Sequence, residues 1–332
     1  MKHIFLTFVA TNLFLISNVY AKKELVVYTS RKEHLVKDIF IKYSDKTGVE
    51  VKYKTGKAPA LIQTIKAEGE QTAADIFMTV DAGNLWHAVS EGLLESVKSE
   101  TLVKNIPSHL REGNNKWFGL SVRARTIVYN TNKVKESDLS TYEDLADKKW
   151  SKRLCLRTSK KVYNQSLVAM LIHELGEEKA KETVKGWVGN TVDIFSNDTA
   201  VLKAVAAGQC DVGIVNTYYF GRLKKEKPEL ALKLFWPNQK SYGVHVNISG
   251  AGVVKNSKKK QEAVKFLEWL ASEEAQKEFA QVNMENAILS SVKQSPIVES
   301  WGSFKPNTSF KLEKAGQLQK KAIKLMREVK YK

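Results

Sequence analysis

Arginine, proline and cysteine are scarce in this sequence, and the usual marks of catalysis are missing from it. Only eight of its 53 basic residues are Arg and the other 45 are Lys. The lysines are spread along the whole chain rather than gathered into a stripe. Base and phosphate recognition favours the planar guanidinium fork and clustered basic footprints, so this pattern describes a solvated lysine-rich surface and no nucleic-acid groove. Six Pro, 18 Gly and 43% hydrophobic residues exclude a disordered, collagenous or elastic chain. His-Glu-x-x-His, paired Cys-x-x-Cys, the Walker loop and the Gly-x-Ser-x-Gly elbow do not occur. Gly250-Ala251-Gly252 opens like a dinucleotide fingerprint but lacks the third glycine. It lies between two strand-like runs and reads as a structural turn. The six histidines show no pair at ligand spacing.

What is present begins with length. At 332 residues the chain suits two domains, at roughly 100–200 residues each. Its net charge of +17 would draw it towards anionic surfaces. Lys2, the apolar stretch Ile4 to Ile16 and the small residue at the end of Val19-Tyr20-Ala21 read as a signal peptide over residues 1–21, cleaved after Ala21. The stretch is broken by Thr11-Asn12 and falls short of the roughly 20 residues that a membrane span needs. The expectation is an exported, periplasmic protein. In that oxidising compartment Cys155 and Cys210 are candidates for one disulfide, the alternative being two buried small apolar residues.

From Lys22 the periodicity alternates. Strands are expected at Leu25 to Tyr28, Val49 to Tyr53 and Ile76 to Thr79, with intervening helices ended by Gly48, Gly69 and Gly92. A second such series has helices over 164–175, 178–188 and 200–207, the last capped by Asn197-Asp198-Thr199, and a buried strand at Asp211 to Val215. Alternation of this kind predicts parallel sheets covered by helices. Extended runs at Phe118 to Val122, Ile127 to Tyr129 and Val244 to Ser249 suggest that the chain crosses between two α/β lobes and later returns. Helices from Lys259 to Val282 and one amphipathic helix from Leu312 to Val329 close the sequence. The predicted division is 22–120 plus 248–290 for an N-terminal lobe and 121–247 plus 291–332 for a C-terminal lobe. A cleft between such lobes is the natural ligand site.

Tyrosines mark the second lobe. Tyr163 opens a helix, and adjacent Tyr218-Tyr219 follow a buried strand. Junctions of this kind are where open α/β sheets present ligand-contacting groups. Spacing alone favours the other reading, amphipathic aromatics whose hydroxyls are hydrogen-bonded in a core, as most tyrosines are.

The runs Tyr28-Thr29-Ser30-Arg31, Thr79-Val80-Asp81-Ala82-Gly83-Asn84-Leu85-Trp86, Ser121-Val122-Arg123-Ala124-Arg125, Val162-Tyr163-Asn164-Gln165-Ser166 and Asn216-Thr217-Tyr218-Tyr219-Phe220-Gly221-Arg222 resemble the periplasmic ferric-iron-binding proteins of bacterial ABC transporters. The likeness extends over essentially the whole mature chain. It implies a two-lobed periplasmic-binding-protein fold of the class II type, with hinge strands between the lobes. It also implies Fe3+ bound by the phenolates of Tyr163, Tyr218 and Tyr219, and delivery by a non-catalytic monomer to an inner-membrane ABC permease.

Hard Fe3+ favours anionic oxygen, and a bound metal ion can displace a proton that a free phenol, with pKa near 10, would keep. Zinc or copper would recruit His or Cys instead. Many family members carry His-Tyr after the first Ser-Arg, where this chain has Lys32-Glu33 and His34 one place later. Two completions of the metal shell follow. Arg31 and Arg123 could hold a synergistic anion such as carbonate, or Glu33 or His34 could ligate directly. The other readings of the chain are a carrier of a polyamine or anionic metabolite and an exported hydrolase.

Overall fold

The computed structural model describes residues 23–332. The signal peptide expected over residues 1–21 lies outside the described residues. Among them no helix is long and apolar enough to cross a membrane.

The first α/β series runs β1 (Glu24–Thr29), α1 (Lys37–Thr47), β2 (Glu50–Thr55), α2 (Ala58–Glu68), β3 (Ile76–Val80), α3 (Ala82–Ser90) and α4 (Glu100–Asn105). After it comes β4, Phe118–Asn130. The second series is β5 (Leu154–Arg157), α5 (Val162–Leu175), α6 (Glu177–Asn190), β6 (Thr191–Phe195), α7 (Asp198–Ala206), β7 (Val212–Asn216), α8 (Thr217–Glu226) and β8 (Leu232–Phe235). The return strand β9 (Val246–Val253) leads to α9 (Lys260–Leu270), α10 (Glu273–Gln281), α11 (Pro296–Glu299), α12 (Lys314–Gln317) and α13 (Gln319–Glu328).

Among the described residues nine strands form one sheet in the order β2-β1-β3-β9-β4-β7-β5-β6, with β8 on β4. The expected parallel pairing holds at both ends, where β1 joins β2 and β3 and where β5 joins β6 and β7. The middle differs. β9 is antiparallel to both β3 and β4, and β4 is antiparallel to β7 and β8. The two extended runs expected at 118–122 and 127–129 fuse into one 13-residue strand, because β4 changes partner along its length. Its first half pairs with β9 from Phe118 to Ala124, and its second with β7 and β8 from Arg125 to Asn130.

Two large apolar cores flank this middle. One gathers Leu25, Ile62, Phe77, Leu85, Phe118, Ile248, Phe266 and Phe279. The other gathers Ile127, Trp150, Leu167, Trp187, Val212, Phe310 and Leu325, with a smaller satellite around Val201, Val215 and Phe220. The strand β4 donates Phe118 and Leu120 to the first core and Ala124 and Ile127 to the second, so its segment 121–123 bridges them. In β9 the change comes between Val246 and Ile248, and Asn247 stands opposite Arg123 in the register. The structure is thus a two-lobed α/β fold with β4 and β9 as the connecting strands.

Two local expectations are corrected. Gly250-Ala251-Gly252 is no turn but the interior of β9, and a Cβ on Gly250 would lie 2.6 Å from the Phe118 carbonyl oxygen. These glycines serve close strand packing. The single C-terminal helix is broken into α12 and α13 around Leu318. Gly316 in α12 lies against Trp86 of α3, where a Cβ would come within 2.5 Å of the indole. That approach wedges the C-terminal segment against the first lobe. The candidate disulfide is formed: Cys155 in β5 and Cys210 before β7 are joined, with Cα atoms 5.8 Å apart.

Candidate metal centre

The parallel pairing of β5 and β7, Leu154 with Val212 and Cys155 with Gly213, sets their C-terminal ends side by side. The loop into α5 and the turn into α8 therefore emerge on one edge of the sheet. Tyr163 is the second residue of α5; Tyr218 and Tyr219 are the second and third of α8. Sequence-distant phenols are thus delivered to one place.

Arg125 holds both junctions. Its buried guanidinium donates Nε–H to Asn164 Oδ1 at 2.9 Å and Nη1–H to Asn216 Oδ1 at 3.2 Å, tying the residue after Tyr163 to the last residue of β7. Its charge is met by Asp198 at 3.3 Å, at the start of α7. The Asn164 amide donates in turn to the Arg157 and Thr158 carbonyls at 2.7 and 3.0 Å and to the Tyr331 hydroxyl at 2.9 Å. A buried polar network satisfied in this way fixes its members in one arrangement.

The three rings meet inside it. Tyr218 and Tyr219 have centroids 4.4 Å apart, and Asn216 Nδ2–H donates to the Tyr218 hydroxyl at 3.3 Å. Tyr163 and Tyr218 are each 6% exposed. Four cations surround the rings. The Arg123 and Arg157 guanidinium carbons both lie 5.2 Å from the Tyr163 centroid, as does Lys161 Nζ. Arg157 also stands 5.9 Å from Tyr219, and Arg222 is 4.9 Å from Tyr218.

Electrostatics here are a balance of burial against these cations. Burial pushes the Tyr163 phenol up, and Arg123 works against it. Burial, with Tyr163 and Tyr219 adjoining, drives Tyr218 well above the ordinary phenol range. Burial also pushes the Lys161 ammonium down, with Arg157 adding to the effect. The Tyr163 and Tyr218 phenols therefore hold their protons near neutrality, and Arg123 favours the phenolate form of both. Among the described residues no group of three or more His, Cys, Asp or Glu could hold a metal ion. The donors this site offers are phenol oxygens.

Not every residue expected at the site is there on those terms. Arg123 is buried beside Tyr163, its Nη1 reaching only Ser249 Oγ at 3.4 Å and its Nη2 lacking an acceptor. Arg31 is instead engaged by Glu285, with Nη1 and Nη2 donating to the two carboxylate oxygens at 3.1 and 3.3 Å. Ser121 donates to the same carboxylate. Both Nη groups of the guanidinium expected to grip an external anion are thus engaged by an internal carboxylate, while its Nε has no acceptor. Glu33 accepts from the Tyr53 hydroxyl at 2.8 Å within the first lobe. His34 is exposed, and its imidazole is pushed down by partial burial and then by Arg222.

Arg157 and Lys161 were not singled out from sequence. Arg157 closes a short strand whose four residues carry no visible alternation, so nothing marked its side chain as inward-facing. Its Nη1 lies 3.2 Å from Asp198, and its Nε has no acceptor.

Residues 38–306 match the model of the bacterial extracellular solute-binding protein family. Iron uptake protein A1 of Synechocystis sp. is 42% identical over 318 residues, covering 94% of this chain and 88% of that protein. A Trichodesmium FutA (IdiA) structure in complex with iron and citrate ligands superposes with a TM-score of 0.88 at 45% identity, over 93% of this chain and all of that one. The ferric binding protein from Campylobacter jejuni gives 0.87 at 35% identity, with 93% and 100% covered. Extent of match, identity and architecture agree: this chain belongs to the bacterial extracellular solute-binding protein family, in the group of the iron uptake and ferric iron-binding proteins.

Proposed function

We propose that this chain is a periplasmic carrier that binds Fe3+ through the phenolates of Tyr163, Tyr218 and Tyr219 and delivers it to an inner-membrane ABC permease. It is a binding protein and not an enzyme. The observation that carries the reading is the convergence of three phenols from two separate junctions under four cations, in a network anchored by Arg125. Three phenolates neutralise a 3+ ion, and the cations offset the cost of gathering three negative oxygens. The group's iron-binding members support the identity of the cargo.

The signal peptide over 1–21, cleavage after Ala21 and a monomeric state belong to this reading. So does the hinge, placed where β4 and β9 pass between the cores at 121–123 and 247. A synergistic anion such as carbonate fits the donors Arg123 Nη2 and Arg157 Nε, which have no protein acceptor. Arg31, already paired with Glu285, is not needed for it.

Loading the mature chain with ferric citrate, followed by gel filtration and metal analysis, tests the cargo. One iron per chain is expected. Uptake of a polyamine or an anionic metabolite without iron would return the other carrier reading. In the same assay, Arg123→Gln and Arg157→Gln should lower iron retention only when carbonate is present, which separates an anion from a direct ligand such as His34.

A further inference from the structure

The turn between β3 and α3 contains a buried carboxylate that neither iron ligation nor folding of its own lobe explains. Asp81 is fully buried and takes a positive φ of 79°, a conformation that non-glycine residues rarely adopt. Such strain persists where the surroundings over-determine it. One carboxylate oxygen caps α3 by accepting from Gly83 N–H at 2.9 Å. A cap needs no more than that. Yet Oδ2 also accepts from Asn247 Nδ2–H of β9 at 2.9 Å, and Ser166 Oγ of α5 lies 2.9 and 2.8 Å from the two oxygens. The carboxylate thus joins the first lobe, a connecting strand and a helix of the second lobe at a single point.

Both partners lead to the tyrosines. Ser166 is three residues beyond Tyr163 on α5, one turn along the same helix face. Asn247 stands opposite Arg123 across β4 and β9, and Arg123 lies over the Tyr163 ring. Asn247 Oδ1 accepts from Ala82 N–H at 2.9 Å, so its side-chain amide is held from both ends of the turn.

We propose that Asp81 is a positioning residue for the metal centre, which through Ser166 and Asn247 fixes the first turn of α5, and with it Tyr163, against the first lobe. It touches no iron. The proposal rests on the ferric-carrier reading for its consequence, since a mispositioned Tyr163 matters through the cargo. Its geometry is a property of the iron-free protein as well.

Ser166→Ala removes only the hydroxyl that crosses between lobes and leaves the other Asp81 bonds in place. Iron affinity should fall by about tenfold or more, the scale set by losing an outer partner of a metal ligand, with faster release to a competing chelator. The visible band of the iron complex should shift, and Ser166→Thr should restore it. In the iron-free protein, the ring resonance of 13C-labelled Tyr163 should move or broaden. Asp81→Gly, which accepts the positive φ, should reproduce these effects, and adding Ser166→Ala to it should change little more. An unmoved Tyr163 resonance and unchanged release in Ser166→Ala, or full additivity of the two substitutions, would overturn the proposal. If the wild-type chain takes up no iron, the carrier reading fails while the Tyr163 resonance still decides the positioning role.

Discussion

Removing a single phenol oxygen should change both the affinity for iron and the number of protons that binding releases. Tyr218→Phe keeps the ring against Tyr219 and under Arg222, and loses one hydrogen bond, from Asn216 at 3.3 Å. Folding stability should therefore fall by no more than about 1 kcal/mol. Binding is another matter. A phenol held well above its ordinary range is protonated at pH 7, so each coordinating tyrosine must give up a proton to the solvent as iron enters. With three phenolates, affinity should rise by about a thousandfold per pH unit in the neutral range; with two, by about a hundredfold. The variant should also bind at least about 100-fold more weakly at pH 7, a loss beyond that of an outer-shell partner. Competition against a chelator of known proton affinity, from pH 6 to pH 8, measures both quantities, and thermal melting measures the folding term. A variant whose pH slope equals that of the wild type would refute Tyr218 as a ligand that deprotonates on binding.

Other expected outcomes follow from the same geometry. Joint replacement of Cys155 and Cys210 by Ser opens a bridge spanning 55 positions, which loop-closure entropy values at about 4 kcal/mol; a melting temperature unchanged by the substitution or by reductant would contradict it. Arg31→Ala leaves the Glu285 carboxylate buried without its guanidinium and should destabilise by about 3–5 kcal/mol, while Arg31→Met with Glu285→Met should recover much of the loss in a denaturant titration. For Glu285, burial acts to raise the carboxyl, but Arg31, Ser121 and Arg123 together hold it below its ordinary value. Its folded-state pKa is thus depressed, and the stability it adds is present above about pH 4.5 and lost as pH falls through the folded value. The stability difference between wild type and Glu285→Gln should accordingly shrink on acidification below that point, and a difference independent of pH would count against the pair. Gly316→Leu should unseat α12 from Trp86, seen as a change in indole fluorescence; an unaltered spectrum would contradict the packing.

The sequence showed the alternation of strands and helices and the three tyrosines, because both rest on local signals: apolar period, glycine stops, and phenols placed at junctions. It did not show the antiparallel centre of the sheet. Strand direction at β4 and β9 depends on pairings more than 120 residues apart, which no local pattern records. Gly250-Ala251-Gly252 looked like a turn for the same reason, since only the close approach of Phe118 explains those glycines. At the site, Arg31 and Arg123 were equally plausible anion holders by motif. Their difference comes from Glu285, a residue 254 positions from Arg31 that marked itself in no way. Arg157 was passed over because β5 has four residues, too few to display a period. Arg125 lay within a run already noticed, yet its task of tying Asn164 to Asn216 exists only in three dimensions.

Resonance Raman spectroscopy of the iron-loaded mature chain tests ligation by tyrosinate most directly. Excitation into a visible phenolate-to-iron band should enhance tyrosinate ring vibrations, and these should shift when the chain is made with ring-deuterated tyrosine. Tyr163→Phe, Tyr218→Phe and Tyr219→Phe should each weaken or move them. A chain that holds one iron, yet is colourless or shows no deuterium-sensitive ring modes, would contradict the phenolate centre.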